Sequence, residues 1–125
     1  MVKSLNRQTG NLGEDLAASH LKKNRYQIVE KNFQTRFGEI DIISLTPDKQ
    51  TLVFIEVKTK TGDYFGAPED MFNSHKLHQV YRMSQIYLQG KPVYQNLSAR
   101  IDVIAIILNP DRSLKSLTHH QAIIL

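Results

Sequence analysis

Two short segments hold the residues best suited to chemistry: Gly38-Glu39-Ile40-Asp41-Ile42-Ile43 and Phe54-Ile55-Glu56-Val57-Lys58. Both alternate apolar with polar side chains, the pattern of β-strands. The polar positions carry Glu, Asp and Lys where the surroundings are most hydrophobic. Charged groups beside a core are costly unless paired or bound to a metal. Carboxylates brought together are ligands for a hard divalent cation, and an adjacent ammonium can stabilise negative charge developing on a reacting group.

The turn between the two runs sets their expected register. Thr46-Pro47-Asp48-Lys49-Gln50 has turn chemistry. A hairpin centred between Asp48 and Lys49 pairs residues whose numbers sum to ninety-seven. Asp41 then faces Glu56, Glu39 faces Lys58, Ile43 faces Phe54 and Leu45 faces Leu52. All eight side chains would share one sheet face. Facing carboxylates repel, and a divalent cation turns that repulsion into coordination. The alternative is a solvated edge hairpin with Lys58 neutralising one acid. Three features favour a site. The acids lie away from the turn and precede the loop glycines Gly62 and Gly66. Their face continues into core residues. Lys58 follows Glu56 by two positions.

The elements that must position these residues are legible from periodicity. Residues 1–10 are expected to form a flexible arm bearing Lys3 and Arg7. A helix is expected over 12–23, with Leu16, Ala17, Ala18 and Leu21 as its apolar side and Asn24 as a left-handed terminator. Glu14 lies along that stripe, four and seven positions before Ala18 and Leu21; it is either part of the site or a first-turn acid favoured by the helix dipole. A strand follows over 26–33, and Arg36-Phe37-Gly38 turns into the charged hairpin. The stretch 60–70, with Tyr64 and Phe65, is either a lid beside the acids or a connector. A second helix is expected over 74–89, capped by Asn73 or Ser74 and ended by Gly90 and Pro92. A buried strand covers 100–108, and a last strand covers 114–117 or 120–125. The order α-β-β-β-α-β predicts an α/β (α+β) fold with a mixed sheet flanked by helices, in a single domain over 11–125.

Composition narrows the function classes. At 125 residues the chain can bury a real core. It has no cysteine, which excludes disulfides and cysteine-ligated zinc and suits a reducing, cytoplasmic setting. The start of the chain lacks the apolar stretch of a signal peptide, and the longest apolar run, at 103–108, is six residues, too short for a bilayer. A membrane partner is therefore not expected. The formal net charge of +4 is compatible with a polyanionic partner.

Asp41, fourteen intervening residues, then Glu56-Val57-Lys58 resembles the PD-(D/E)xK nuclease motif, which also stands on a hairpin after an N-terminal helix. From Gly13-Glu14-Asp15 through Gly38-Glu39-Ile40-Asp41, Phe54 to Thr59, Phe65-Gly66-Ala67-Pro68-Glu69 and Arg100-Ile101-Asp102-Val103, the chain resembles the YraN-type bacterial family, related to Holliday-junction resolvases. Ile40 stands where the motif name has Pro, as in many members of the superfamily. The resemblance implies a restriction-endonuclease-like fold, Mg2+ or Mn2+, and endonuclease cleavage of DNA, with dimerisation by analogy. Asp41 and Glu56 would be metal ligands, with the Val57 carbonyl a third and Glu14 completing the set. Lys58 would orient or activate water, and Glu39 is a nearby acid without an assigned role. The alternative is a nucleic-acid-binding or scaffold protein of the same fold without turnover.

Other candidates are peripheral. His75 and His78 are one helical turn apart and could reach one metal, or lie on a solvated face. His119 and His120 are expected at the surface. Lys76 and Gln79, at the start of the second helix, and Arg7 are candidates for nucleic-acid contact.

Overall fold

The computed structural model describes residues 2–62 and 73–123, with side chains from residue 10 onward. The expected loop contacts at Tyr64 and Phe65, and the Arg7 side chain, lie outside the described residues. The elements run α1 (Val2–Lys23), β1 (Gln27–Thr35), β2 (Gly38–Leu45), β3 (Thr51–Thr61), α2 (Ser74–Gln89), a short 3-10 helix (Pro92–Tyr94), β4 (Ser98–Leu108) and β5 (Leu114–His120). The five strands form one mixed sheet in the order β1-β2-β3-β4-β5. Among the described residues only β3 and β4 pair in parallel, and α2 lies between them in sequence, as a parallel crossover requires. The architecture is the expected α+β core. No helix among the described residues is long and apolar enough to cross a membrane.

Each sheet face carries one helix. Leu77, Val80, Met83 and Tyr87 of α2 pack on Ile40, Ile43, Leu45, Leu52 and Phe54. Ala17, Ala18 and Leu21 of α1 pack on Ile42, Val53, Ile55, Ile104, Ile106 and Leu108. The small α1 residues let that helix sit close. Closest of all is Gly13, where an added Cβ would collide with the Thr59 hydroxyl. At Gly13, helix α1 therefore approaches β3 with only the Thr59 side chain between the two backbones, and the next residue, Glu14, lands at the end of the sheet that holds the charged hairpin.

Both ends of α1 differ from expectation. The α1 backbone is helical from Val2, so residues 2–10 extend the helix rather than precede it. At its other end the left-handed residue is Arg25 (φ 68°), not Asn24. Tyr26 N–H donates to Leu21 O at 2.9 Å and Arg25 N–H to Lys22 O at 3.0 Å, the paired bonds of a Schellman cap. Asn24 instead donates its side chain to His20 O at 2.8 Å. Helix α2 keeps its expected bounds, with Asn73 capping Lys76 N–H.

His119 is not a surface residue: its side chain is 9% exposed and donates from Nε2 to Asp102 Oδ2 at 2.8 Å. Asp102 is fully buried. It also accepts from Arg100 Nε at 3.0 Å and from Ala122 N–H at 2.9 Å. Arg100 reaches Tyr26 Oη at 2.9 Å, and His119 Nδ1 meets His20 Nε2 at 3.1 Å. The network ties α1, β4, β5 and the segment after β5 together. Burial alone would raise the Asp102 carboxyl, but His119, Ala122 N–H and Arg100 outweigh it and hold the group below its ordinary value.

Two stability outcomes follow. Gly13→Ala should destabilise by about 1 kcal/mol in urea unfolding, because overpacking exceeds the helix-propensity gain; in a Thr59→Ala background the same change should be close to neutral. An equal loss in both backgrounds would show that the close crossing is not the cause. Asp102→Asn should cost on the order of 3 kcal/mol by leaving Arg100 and His119 without their buried partner.

Candidate metal centre

The β2–β3 register is the expected one at the turn end, from Leu45↔Leu52 to Ile42↔Ile55. Thr46 Oγ1 donates to Asp48 Oδ1 at 2.6 Å and closes the turn. Beyond Ile42 the β2–β3 ladder ends, and the expected facing pairs Asp41–Glu56 and Glu39–Lys58 do not form as ladder partners. The reason is visible in one bond. Asp41 Oδ2 accepts the Val57 N–H at 2.8 Å, the donor that a β2 backbone carbonyl would otherwise take. A side chain substitutes for the ladder, and the two strands part around it.

The same point breaks the alternation of β2. Ile42 packs on the α1 face, yet Ile40 packs on the α2 face with Ile43. On the neighbouring strand Lys31 pairs with Ile42 and Phe33 with Ile40, skipping Asn32 opposite Asp41. Asn32 has φ 54°, a conformation that Asn tolerates better than most residues. The expectation that all eight hairpin side chains share one face therefore fails at Asp41. The face switch brings Asp41 and Glu39 towards Glu14 of α1.

Glu14, Glu39 and Asp41 each offer a carboxylate oxygen, and these oxygens all lie within 4.8 Å of one another. Such a trio fits a hard cation that takes oxygen ligands. Glu56 stands outside the trio but adjoins Asp41, and it is only 3% exposed. Its Oε2 is buried without a hydrogen-bond partner. Lys58 Nζ lies 3.6 Å from the other oxygen, Oε1, with its own side chain one-third exposed. Lys76 of α2 acts electrostatically on both Asp41 and Glu56. Val57 meets Asp41 through its N–H. Gln79 donates its side-chain amide to Phe37 O at 2.8 Å. His78 Nδ1 is engaged with Ser74 O at 2.8 Å, and neither His75 nor His78 belongs to the acidic cluster.

The acids are under-compensated. Burial first, then Asp41, pushes the Glu56 carboxyl up to about 8, against the opposing pull of Lys76 and Lys58. Burial, then Asp41 and Glu39, pushes Glu14 up to about 7, with Lys31 pulling the other way. Asp41 is raised too, by burial, despite the Val57 N–H. Removing like charge or adding a cation would each relieve the site.

Of the acids singled out in the sequence, Glu14, Glu39 and Asp41 cluster, Glu56 lies beside Asp41 outside that cluster, and two neighbours were not anticipated. Lys31 reaches Glu14 from β1, and Asn32 supplies the backbone kink. Asn is the detectable signal: a residue that accepts left-handed φ, set inside a strand pattern opposite Asp41.

Raised carboxyl values mean that the folded state binds protons more tightly than the unfolded chain. Without metal, stability is fully present below about pH 4.5. It falls as pH rises through the folded values near 7 and 8. Urea unfolding in chelator should therefore show a loss of at least about 1 kcal/mol between pH 5 and pH 8.5. Glu56→Gln should remove much of that slope; an unchanged slope would contradict the arrangement.

Comparison with known sequences gives a consistent family. A model of the Uncharacterised protein family UPF0102 matches residues 13–106. A UPF0102 protein of Clostridium botulinum (strain 657 / Type Ba4) is 41% identical over 104 residues, covering 83% of each chain. One from Caldanaerobacter subterraneus subsp. tengcongensis is 38% identical over 120 residues, covering 94% of this chain and 96% of the relative. One from Syntrophus aciditrophicus is 42% identical over 106 residues, covering 85% of this chain and 81% of the relative. The matched region contains Glu14, Glu39, Asp41, Glu56 and Lys58, and the chain belongs to the UPF0102 family.

Proposed function

We propose that this protein is a divalent-metal-dependent nuclease that hydrolyses phosphodiester bonds, with DNA as substrate. The observation that supports this reading most directly is Glu56: a buried carboxyl with an unsatisfied Oε2 beside the partly buried Asp41. A purely structural acid would have its partners within the fold. Asp41 and Glu56 would hold the ion, with Glu14 across from them and the Val57 carbonyl as a further oxygen donor. Glu39 lies close enough to Glu14 and Asp41 to take part. The PD-(D/E)xK resemblance of Asp41, Glu56 and Lys58 supports the same assignment.

Bound Mg2+ or Mn2+ would supply Lewis acidity towards the phosphate and lower the pKa of an attacking water. The chain's own groups do the rest. Asp41 is fixed by the Val57 N–H, so its free oxygen lobe has a set direction. Lys58, near Glu56 yet partly open to solvent, can meet an approaching phosphate and stabilise charge building on its oxygens. Lys76 adds a second cation on the α2 side. Magnesium favours one or two carboxylates plus water and phosphate oxygens, and Asp41 and Glu56 would supply those two.

Purified protein incubated with Mg2+ or Mn2+ and branched, flapped and linear DNAs should cleave at least one of them. Asp41→Ala, Glu56→Ala and Lys58→Ala should each lower the rate by about 100-fold or more. Metal-independent binding of DNA without cleavage would instead support a binding or scaffold protein of the same fold. Calorimetric titration with Mn2+ should give a binding isotherm in wild type that weakens at least tenfold in Glu56→Ala; equal affinity would sink the metal assignment.

A further inference from the structure

The β1–β2 turn lies beside the acids and carries a second arrangement that the hydrolytic reading leaves unused. Arg36 and Phe37 form the turn between the paired residues Thr35 and Gly38. Phe37 is 37% exposed, an apolar ring left in solvent at a hairpin tip. Two guanidinium groups lie against it. The Arg36 Cζ atom is 4.8 Å from the ring centroid, and that of Arg82, from α2, is 4.3 Å away.

The turn is held rather than loose. Phe37 N–H donates to Thr35 Oγ1 at 3.0 Å, and Gln79 Nε2 donates to Phe37 O at 2.8 Å. Among the described residues, neither Arg36 nor Arg82 makes an ion pair with a carboxylate. Two like charges are thus gathered on one ring with only the π-face to offset them. An anion supplied from outside would complete the set.

The surrounding surface says where that anion would lead. A groove of about 410 Å³ is lined by Arg36, Phe37, Gly38, Glu39, Lys76 and Gln79, among others. Glu39 belongs to the acidic trio, and Lys76 acts on Asp41 and Glu56. The groove therefore joins the arginine–phenylalanine tip to the candidate metal centre.

We propose that the Arg36–Phe37–Arg82 tip is a binding platform for an unpaired nucleic-acid strand. Phosphates meet the guanidinium groups, and a base stacks on the aromatic–guanidinium surface. The strand then follows the groove, so that an adjacent phosphodiester reaches the acids. The identity of that far end rests on the hydrolytic reading above. An unpaired strand is favoured over a duplex because stacking requires an uncovered base face. Duplex backbone binding would use the cations alone and gain nothing from an exposed ring.

The test is binding in the presence of chelator, which separates the platform from metal chemistry. Fluorescence anisotropy with labelled oligodeoxynucleotides of one sequence, single-stranded and duplex, gives both affinities. Wild type should bind the single strand more tightly. Arg36→Ala combined with Arg82→Ala should weaken single-strand binding at least tenfold and reduce the slope of log affinity against log salt by about 1.4, two phosphate contacts at roughly 0.7 each. Phe37→Ala and Phe37→Leu, with both arginines retained, should abolish the preference for single strands. Lys115→Ala, on the strand at the opposite sheet edge, should change neither affinity. Circular dichroism melting checks that the variants are folded. Equal or tighter duplex binding by wild type, or full affinity in the arginine variant, overturns the platform. Cleavage that survives Asp41→Ala defeats the hydrolytic reading and leaves the platform standing; normal binding and cleavage in the platform variants does the reverse.

Discussion

One hydrogen bond organises the candidate site: the Val57 N–H donating to the Asp41 carboxylate. It satisfies a backbone donor that the β2–β3 ladder would otherwise satisfy, so the hydrogen-bond requirement of the sheet is met while its pairing ends. The strands can then separate without leaving an orphaned amide. Their separation makes room for carboxyl groups where a continuous sheet would have packed apolar side chains. The left-handed Asn32 and the switch of Ile40 to the α2 face are the local consequences on either side. Gly13 completes the geometry by letting α1 approach β3 closely enough to deliver Glu14.

The molecule contains two kinds of buried acid, and their surroundings differ in a way that separates structure from function. Asp102 has a guanidinium, an imidazole and a backbone amide around it, and its carboxyl is held below its ordinary value. It locks β4, β5 and α1 together. Asp41 lies beside Glu56 on one side and Glu14 on the other, with Lys58 and Lys76 too little to compensate, and all three carboxyl groups are raised. Buried polar groups are ordinarily satisfied within the fold. An unsatisfied Glu56 oxygen at the heart of the second group therefore speaks for a ligand, whereas Asp102 needs none.

Much of this was legible in the sequence because turn chemistry and strand alternation act locally. The Thr46–Gln50 turn fixed the register that the structure keeps from Leu45↔Leu52 to Ile42↔Ile55. The Asn73 cap and the apolar spacing of Leu77, Val80 and Tyr87 gave α2 its bounds. The extrapolation failed at Asp41 because alternation assumes an unbroken pleat, and there a side chain takes the place of a backbone acceptor. The early start of α1 was obscured by Gly10 and Gly13, which weaken a helical pattern; at Gly13 the glycine answers a demand of helix–strand contact. His119 looked like a surface residue because its partner, Asp102, is distant in sequence and meets it only across the β4–β5 pair.

The central claim is that Asp41, Glu56 and Glu14 converge on one divalent cation. Anomalous scattering from crystals grown with Mn2+ tests it without relying on turnover. The account predicts a manganese peak within about 2.5 Å of oxygens from both Asp41 and Glu56, the reach of a carboxylate–metal bond. Saturating Mn2+ with no peak at these carboxyl groups, or with the ion bound elsewhere on the surface, would contradict it.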